Sequence, residues 1–165
     1  VSQAGEERLR TELYAAFRNR ALMYWHVFDE LRRALGEPQA VALLARAIEA
    51  RGREIGRAFA RHGPSDLAGL RDAFLAAVPD GGRMFDPLVE RCDAAGLDIR
   101  LRRCPLQDAW REAGVPAADI ATLCRIAGRV DNGTFESAGF EFSADTWQPG
   151  RDGCCHLHVR PGRAR

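Results

Sequence analysis

Four of the five cysteines of this 165-residue chain, and two of its four histidines, fall between Cys104 and His158. Cysteine, histidine and carboxylate are side chains whose protonation a fold can tune for chemistry at neutral pH. A thiolate becomes a strong nucleophile there once a nearby cation or histidine lowers its pKa. The stretch opens with RCPLQDAW, carries Leu123-Cys124 and Val130-Asp131-Asn132-Gly133, and closes with PGRDGCCHLHVRP. On a terminal strand, alternation puts Cys155, Leu157 and Val159 on one face and Cys154, His156 and His158 on the other. Cys155 then points into apolar surroundings, either as a core thiol or as a nucleophile at the base of a pocket. The histidine face could supply an acid/base group, two metal ligands, or only a polar outer surface. Asp131 opens a turn signal, where aspartate is favoured simply for bonding its own backbone. Cys104 and Cys124 fall at the ends of a strand and a helix, an arrangement able to bring them together or to bury each in packing. These thiols and the two histidines could make a zinc site, but the close paired spacing of structural zinc is missing, so no metal or cofactor is expected.

The elements that must position these residues are mostly helical. Leu9, Leu13, Phe17, Ala21, Tyr24, Phe28, Leu31 and Leu35 recur at steps of three and four, which predicts a helix from about Glu6 to Leu35 with Gly36 as its stop. Its middle, ALMYWHVF, is apolar nearly all round, as in a helix through a domain centre or at a subunit contact; a homo-oligomer is left open. Glu37-Pro38 starts a second helix, with Val41, Leu44, Ala45, Ile48, Ile55 and Phe59 inward. Gly52 and Gly56, a turn apart inside it, imply close approach of another helix or of a ligand, and Arg53 between them is a candidate anion holder. Ser65 caps a third helix, Asp86-Pro87 opens a short fourth with Cys92 as a core thiol, and Leu97–Arg102 alternates as a strand. Leu106–Gly114 and a segment after Pro116 are helical. Asp131-Asn132-Gly133 turns the chain into a strand from Phe135 to Trp147, and a hairpin leads to a last strand over 153–160. The sum is an α+β domain over residues 1–165: a mostly helical N-terminal half with a small antiparallel sheet formed by the C-terminal half.

A formal net charge of +1, with arginines interleaved among acids, gives no pull toward nucleic acid. No apolar run reaches the ~18 residues a membrane span needs, and VSQAGEERLR does not resemble a signal peptide. An odd number of cysteines at irregular spacing argues against a secreted disulfide framework, so a reduced, cytoplasmic setting is expected. His26 and His62 read as ordinary helix histidines, and the basic tail RPGRAR as a frayed end.

Taken in order, several phrases carry a likeness that spans nearly the whole chain: ALMYWHVFDELRRALG, RGREIGRAFA, CPLQDAWREAG, the Leu123-Cys124 pair, Asp131, and a glycine-led hairpin ending in a cysteine. Together they resemble the L-2-amino-thiazoline-4-carboxylic acid hydrolase family, named for opening a cysteine-derived cyclic isothiourea. The resemblance implies a hydrolase acting on a C–N bond in a small non-peptide ring, with a small molecule as its partner. It departs at Cys154-Cys155, a pair where one cysteine is expected; the register that keeps the apolar alternation selects Cys155. On that reading Cys155 is the nucleophile, Asp131 and His158 transfer protons, Cys104 and Cys124 stand nearby, and Arg53 holds a carboxylate. The chain is also weakly similar to vinyl-reductase-like domains, which bind small molecules without catalysis.

Overall fold

The computed structural model describes residues 2–163. Helix α1 (Gln3–Leu35) begins where the Ser2 hydroxyl accepts the Gly5 N–H, and it stops at Gly36, whose φ of 83° only glycine adopts readily. Ala21 and Phe28 on its stripe are fully buried. Met23 and Val27 stay exposed, so ALMYWHVF is not enclosed on all sides within one chain. Helix α2 (Glu37–Gly56) follows at once. Helix α3 (Leu67–Ala77) is capped by Asp66, one residue later than expected, its carboxylate accepting the Gly69 N–H at 2.9 Å.

Helix α4 (Pro105–Glu112) lies against α1, where the Trp110 indole donates to the Ala21 carbonyl at 2.7 Å. Helix α5 (Ala117–Ser137) corrects the sequence reading: Asp131-Asn132-Gly133 is not a turn but the interior of a helix. The small residues there answer to packing. A methyl group on Gly133 would collide with the Glu49 carbonyl, one on Gly52 with the Val130 carbonyl, and one on Gly56 with the Thr134 carbonyl. Across this seam the Thr134 hydroxyl reaches the Gly52 carbonyl at 3.3 Å. The glycines of α2 therefore admit a helix backbone, not a ligand.

Strands β1 (Pro87–Asp93), β2 (Gly96–Leu101), β3 (Glu141–Asp145) and β4 (His156–Arg160) form one antiparallel sheet in the order β1-β2-β4-β3. The expected helix after Asp86-Pro87 is thus a strand. Asp93 takes the amides of Ala95 and Gly96 onto its carboxylate, closing a tight turn that lays β1 back along β2. Cys92 accordingly sits half-buried on a strand. The strand expected from Phe135 shrinks to β3, because α5 runs on to Ser137 and Gly139 then turns at φ 98°. The tail is held further than a frayed end: Arg160 bonds Asp98 at 2.7 Å and the Gly162 N–H donates to the Pro64 carbonyl. Ala164 and Arg165 lie outside the described residues.

Leu97, Ile99, Leu101, Leu157 and Val159 face inward toward α3 and Phe135, while Asp98, Arg100, His156 and His158 face outward. A second apolar cluster joins α1, α2, α4 and α5 around Phe28, Trp110 and Leu123. Cys104 touches both clusters.

Candidate active site

Where the two clusters meet they leave a cavity of about 260 Å³. Each wall comes from a different element. Phe17 and Arg20 belong to α1, Phe74 and Ala77 to α3, Cys104 to the start of α4, and Cys154 and Cys155 to the approach to β4. Helix α5 supplies Cys124, Ala127, Asp131 and Thr134, spaced by three or four so that one face of the helix lines the space. Four residues singled out from the sequence, Cys104, Cys124, Asp131 and Cys155, therefore meet at one cavity, and Cys154 joins them.

Cys104 caps α4 in extended conformation, with Pro105 in the first turn needing no partner for a missing N–H. Its half-buried sulfur makes no capping bond to the helix, but it lies beside the Cys154 thiol and the Leu106 and Gln107 N–H groups. These neighbours, the Cys154 thiol foremost, hold the Cys104 thiol below its ordinary pKa despite the opposing cost of burial. The neighbouring Cys104 and Cys155 thiols and burial favour the protonated form of Cys154, whose sulfur lies 3.2 Å from that of Cys155. Burial raises Cys124, leaving it an inert wall of the cavity. Asp131 has neither a hydrogen bond nor an ion pair among the described residues, and burial alone pushes its carboxyl up to about 7. A thiol more acidic than usual at a helix start and an acid that titrates near neutrality thus share one space.

Both Cys154 and Cys155 reach the cavity because strand alternation does not extend to them. The Cys154 N–H donates to the Leu101 carbonyl and the Leu101 N–H to the Cys155 carbonyl, so two residues oppose one in a bulge-like step before β4. The expectation that they face opposite ways is corrected by that step. His158 is placed elsewhere. It stands on the outer sheet face with Nδ1 2.8 Å from Asp98 and Nε2 3.4 Å from Asp145. Arg53 is also outside: with Gly52 and Gly56 turned to α5, it points to solvent and pairs with Glu49 at 2.9 Å.

Arg20 is the cavity residue that the sequence reading passed over. It is exposed, its guanidinium lies 4.5 Å over the Phe17 ring, and no carboxylate pairs with it among the described residues. The spacing signal was present, since Arg20 follows the stripe residue Phe17 by three and shares its face. Among the described residues, no three of His, Cys, Asp and Glu are placed to share a metal ion. No helix there is long and apolar enough to cross a membrane.

A helical scaffold closed by a four-stranded sheet, with four cysteines and Asp131 lining one cavity, defines a small α+β protein. Residues 16–159 match the family described as L-2-amino-thiazoline-4-carboxylic acid hydrolase, and the chain belongs to that family. No curated protein matches the chain.

Proposed function

We propose that the protein is a hydrolase that opens a small cyclic amidine or thiazoline-type substrate at its C–N carbon, with Cys104 as nucleophile and Asp131 as proton carrier. The observation that carries this reading is the shared cavity: a thiol at a helix N-cap position, held below its ordinary pKa, and a carboxyl raised to about 7 line the same space. The Cys104 thiolate adds to the ring's C=N carbon, forming a C–S bond while the π electrons pass to nitrogen. Protonated Asp131 supplies the proton that nitrogen takes up. Collapse of the adduct breaks the ring C–N bond. The exocyclic amino group forms C=NH as its proton passes to the departing ring nitrogen, leaving a thioimidate on Cys104 that also keeps the ring sulfur. Water attacks that carbon, Asp131 as carboxylate accepts a proton, and departure of the thiolate restores Cys104. Arg20 at the rim is suited to hold a substrate carboxylate, since its charge has no acidic partner among the described residues. The small-molecule partner and a reduced, cytoplasmic setting belong to this reading, because a thiolate nucleophile requires reduced sulfur.

In this reading the role given to Cys155 from the register of the last strand passes to Cys104, which combines a helix-start position with a thiol below its ordinary pKa. Turnover of 2-amino-thiazoline-4-carboxylate by wild type, Cys104→Ala and Cys155→Ala tests the assignment. Loss of turnover in Cys104→Ala with substrate binding retained is expected, alongside a quenched-flow adduct on the Cys104 peptide by mass spectrometry. Full turnover in Cys104→Ala would remove the nucleophile. Binding without turnover in every form would leave a protein that only binds.

A further inference from the structure

The cavity is large and mostly apolar for a bare amino-thiazoline acid. Its 260 Å³ would hold about nine waters at ~30 Å³ each. The groups suited to a polar ring and its carboxylate come from α1, α4, α5 and the approach to β4: Arg20, Cys104, Asp131 and the Cys154-Cys155 pair. The wall contributed by α3 and its flanking turns is of another character. Phe74 packs on Phe59 with ring centroids 6.4 Å apart, and Phe85 meets Phe17 edge-on at 5.9 Å. Phe17, Phe74 and Phe85 are only half-buried by the protein, so their remaining surface is left to whatever fills the cavity. Ala77, Val78 and Pro79 continue this wall without any charged or hydrogen-bonding side chain. A wholly polar substrate placed against it would lose water and gain no partner.

We infer that the substrate carries, besides the ring that meets Cys104, an aromatic or branched apolar body seated against the Phe59–Phe74 and Phe17–Phe85 pairs. The placement of the ring rests on the catalytic reading above; the apolar body rests on the aromatic wall alone. The class is an amphipathic small molecule with one anionic group, one electrophilic C=N carbon and a bulky hydrocarbon substituent. The reaction is unchanged by that substituent, which supplies binding and selectivity through burial.

Calorimetric titration of the Cys104→Ser protein, which removes the nucleophile, compares 2-amino-thiazoline-4-carboxylate with its 5-benzyl derivative. The benzyl compound should bind roughly thirtyfold tighter, the effect of moving one phenyl group out of water. Phe74→Ala should reduce that advantage to a few-fold while leaving the parent compound's affinity nearly unchanged. Ala77→Trp, at an exposed position on the same wall, should do the same by filling the space, and guards against a Phe74 variant that folds poorly. Equal or weaker binding of the benzyl compound, or failure of both compounds to bind, overturns the inference. Tight, selective binding with no turnover in the wild type strikes the catalytic reading alone. Efficient turnover of the parent with no benzyl preference strikes this inference alone.

Discussion

Replacing Cys154 by alanine removes the S–H beside Cys104, the main influence lowering its pKa and a donor for its thiolate, while leaving the Leu106 and Gln107 amides in place. A hydrogen bond to a charged partner contributes about 1.5–3 kcal/mol. On the acid limb of the profile, where the Cys104 thiolate is the minor form, its population should therefore fall roughly 10- to 100-fold. Iodoacetamide labelling resolved by peptide mass spectrometry reads Cys104 separately from the other four thiols. Its alkylation rate as a function of pH should keep its alkaline plateau and lose rate on the acid side. Turnover at neutral pH should fall with it and recover as pH is raised. The remaining amide donors predict that the variant thiol stays more acidic than that of Cys124, which burial holds protonated. An unchanged Cys104 profile in Cys154→Ala would refute the argument that the neighbouring thiol sets its reactivity. A fall in activity that alkaline pH does not restore would assign the loss to altered packing instead.

Asp131→Asn should abolish the neutral-pH rate by about 10²- to 10⁴-fold, as expected for loss of a proton carrier. It should also change the pH dependence of stability. The folded carboxyl titrates near 7 against 3.8 for a free aspartate, so its favourable contribution is complete below about 4 and is lost as pH rises through 7. The variant's melting temperature relative to wild type should therefore climb between those limits and level off above; parallel curves from pH 4 to 8 would contradict the burial of this acid. Gly133→Ala drives a methyl into the Glu49 carbonyl and should lower the melting temperature by roughly 5–10 °C, the effect of overpacking by a few kcal/mol; a calorimetric trace matching wild type would refute the backbone contact. Arg20→Ala should raise KM by roughly tenfold or more with a smaller effect on kcat, whereas Arg53→Ala should leave both within about twofold, and steady-state kinetics with a carboxylate substrate separates the two.

The parts of this molecule that were legible in its sequence are those fixed by local chemistry. The stripe from Phe17 to Leu31 and the Gly36 stop are properties of α1 itself, and Glu37-Pro38 announces α2 without help from the rest of the chain. Segment 87–93 was opaque because its proline is equally at home in a first helical turn; only pairing with β2 makes it a strand. Asp131-Asn132-Gly133 spells a turn, yet its glycine is there because the carbonyl of Glu49 occupies the space of a side chain, a contact between residues far apart in the chain. Clustering in the sequence made a meeting of the thiols conceivable but left buried packing equally open, and their facing was not legible at all. A bulge-like step opposite Leu101 turns Cys154 to the same cavity as Cys155, and no alternation rule applies across it. Cys104 stood directly before a proline-led helix, a cap position readable in the sequence, but the neighbour that most lowers its pKa, Cys154, is brought there only by folding.

The glycine seam between α2 and α5 has a consequence for how this protein can change. Val130 and Gly133 are packed against the backbone of α2, so the adjoining face of α5, with Cys124 and Asp131, can neither roll nor advance toward α2 without a steric clash. The opposite side, made by side chains of α1 and α3, meets no such restriction. Altered appetite for substrates should therefore be written in positions such as Phe17, Phe74 and Ala77, while the reactive jamb on α5 stays where the glycines nailed it.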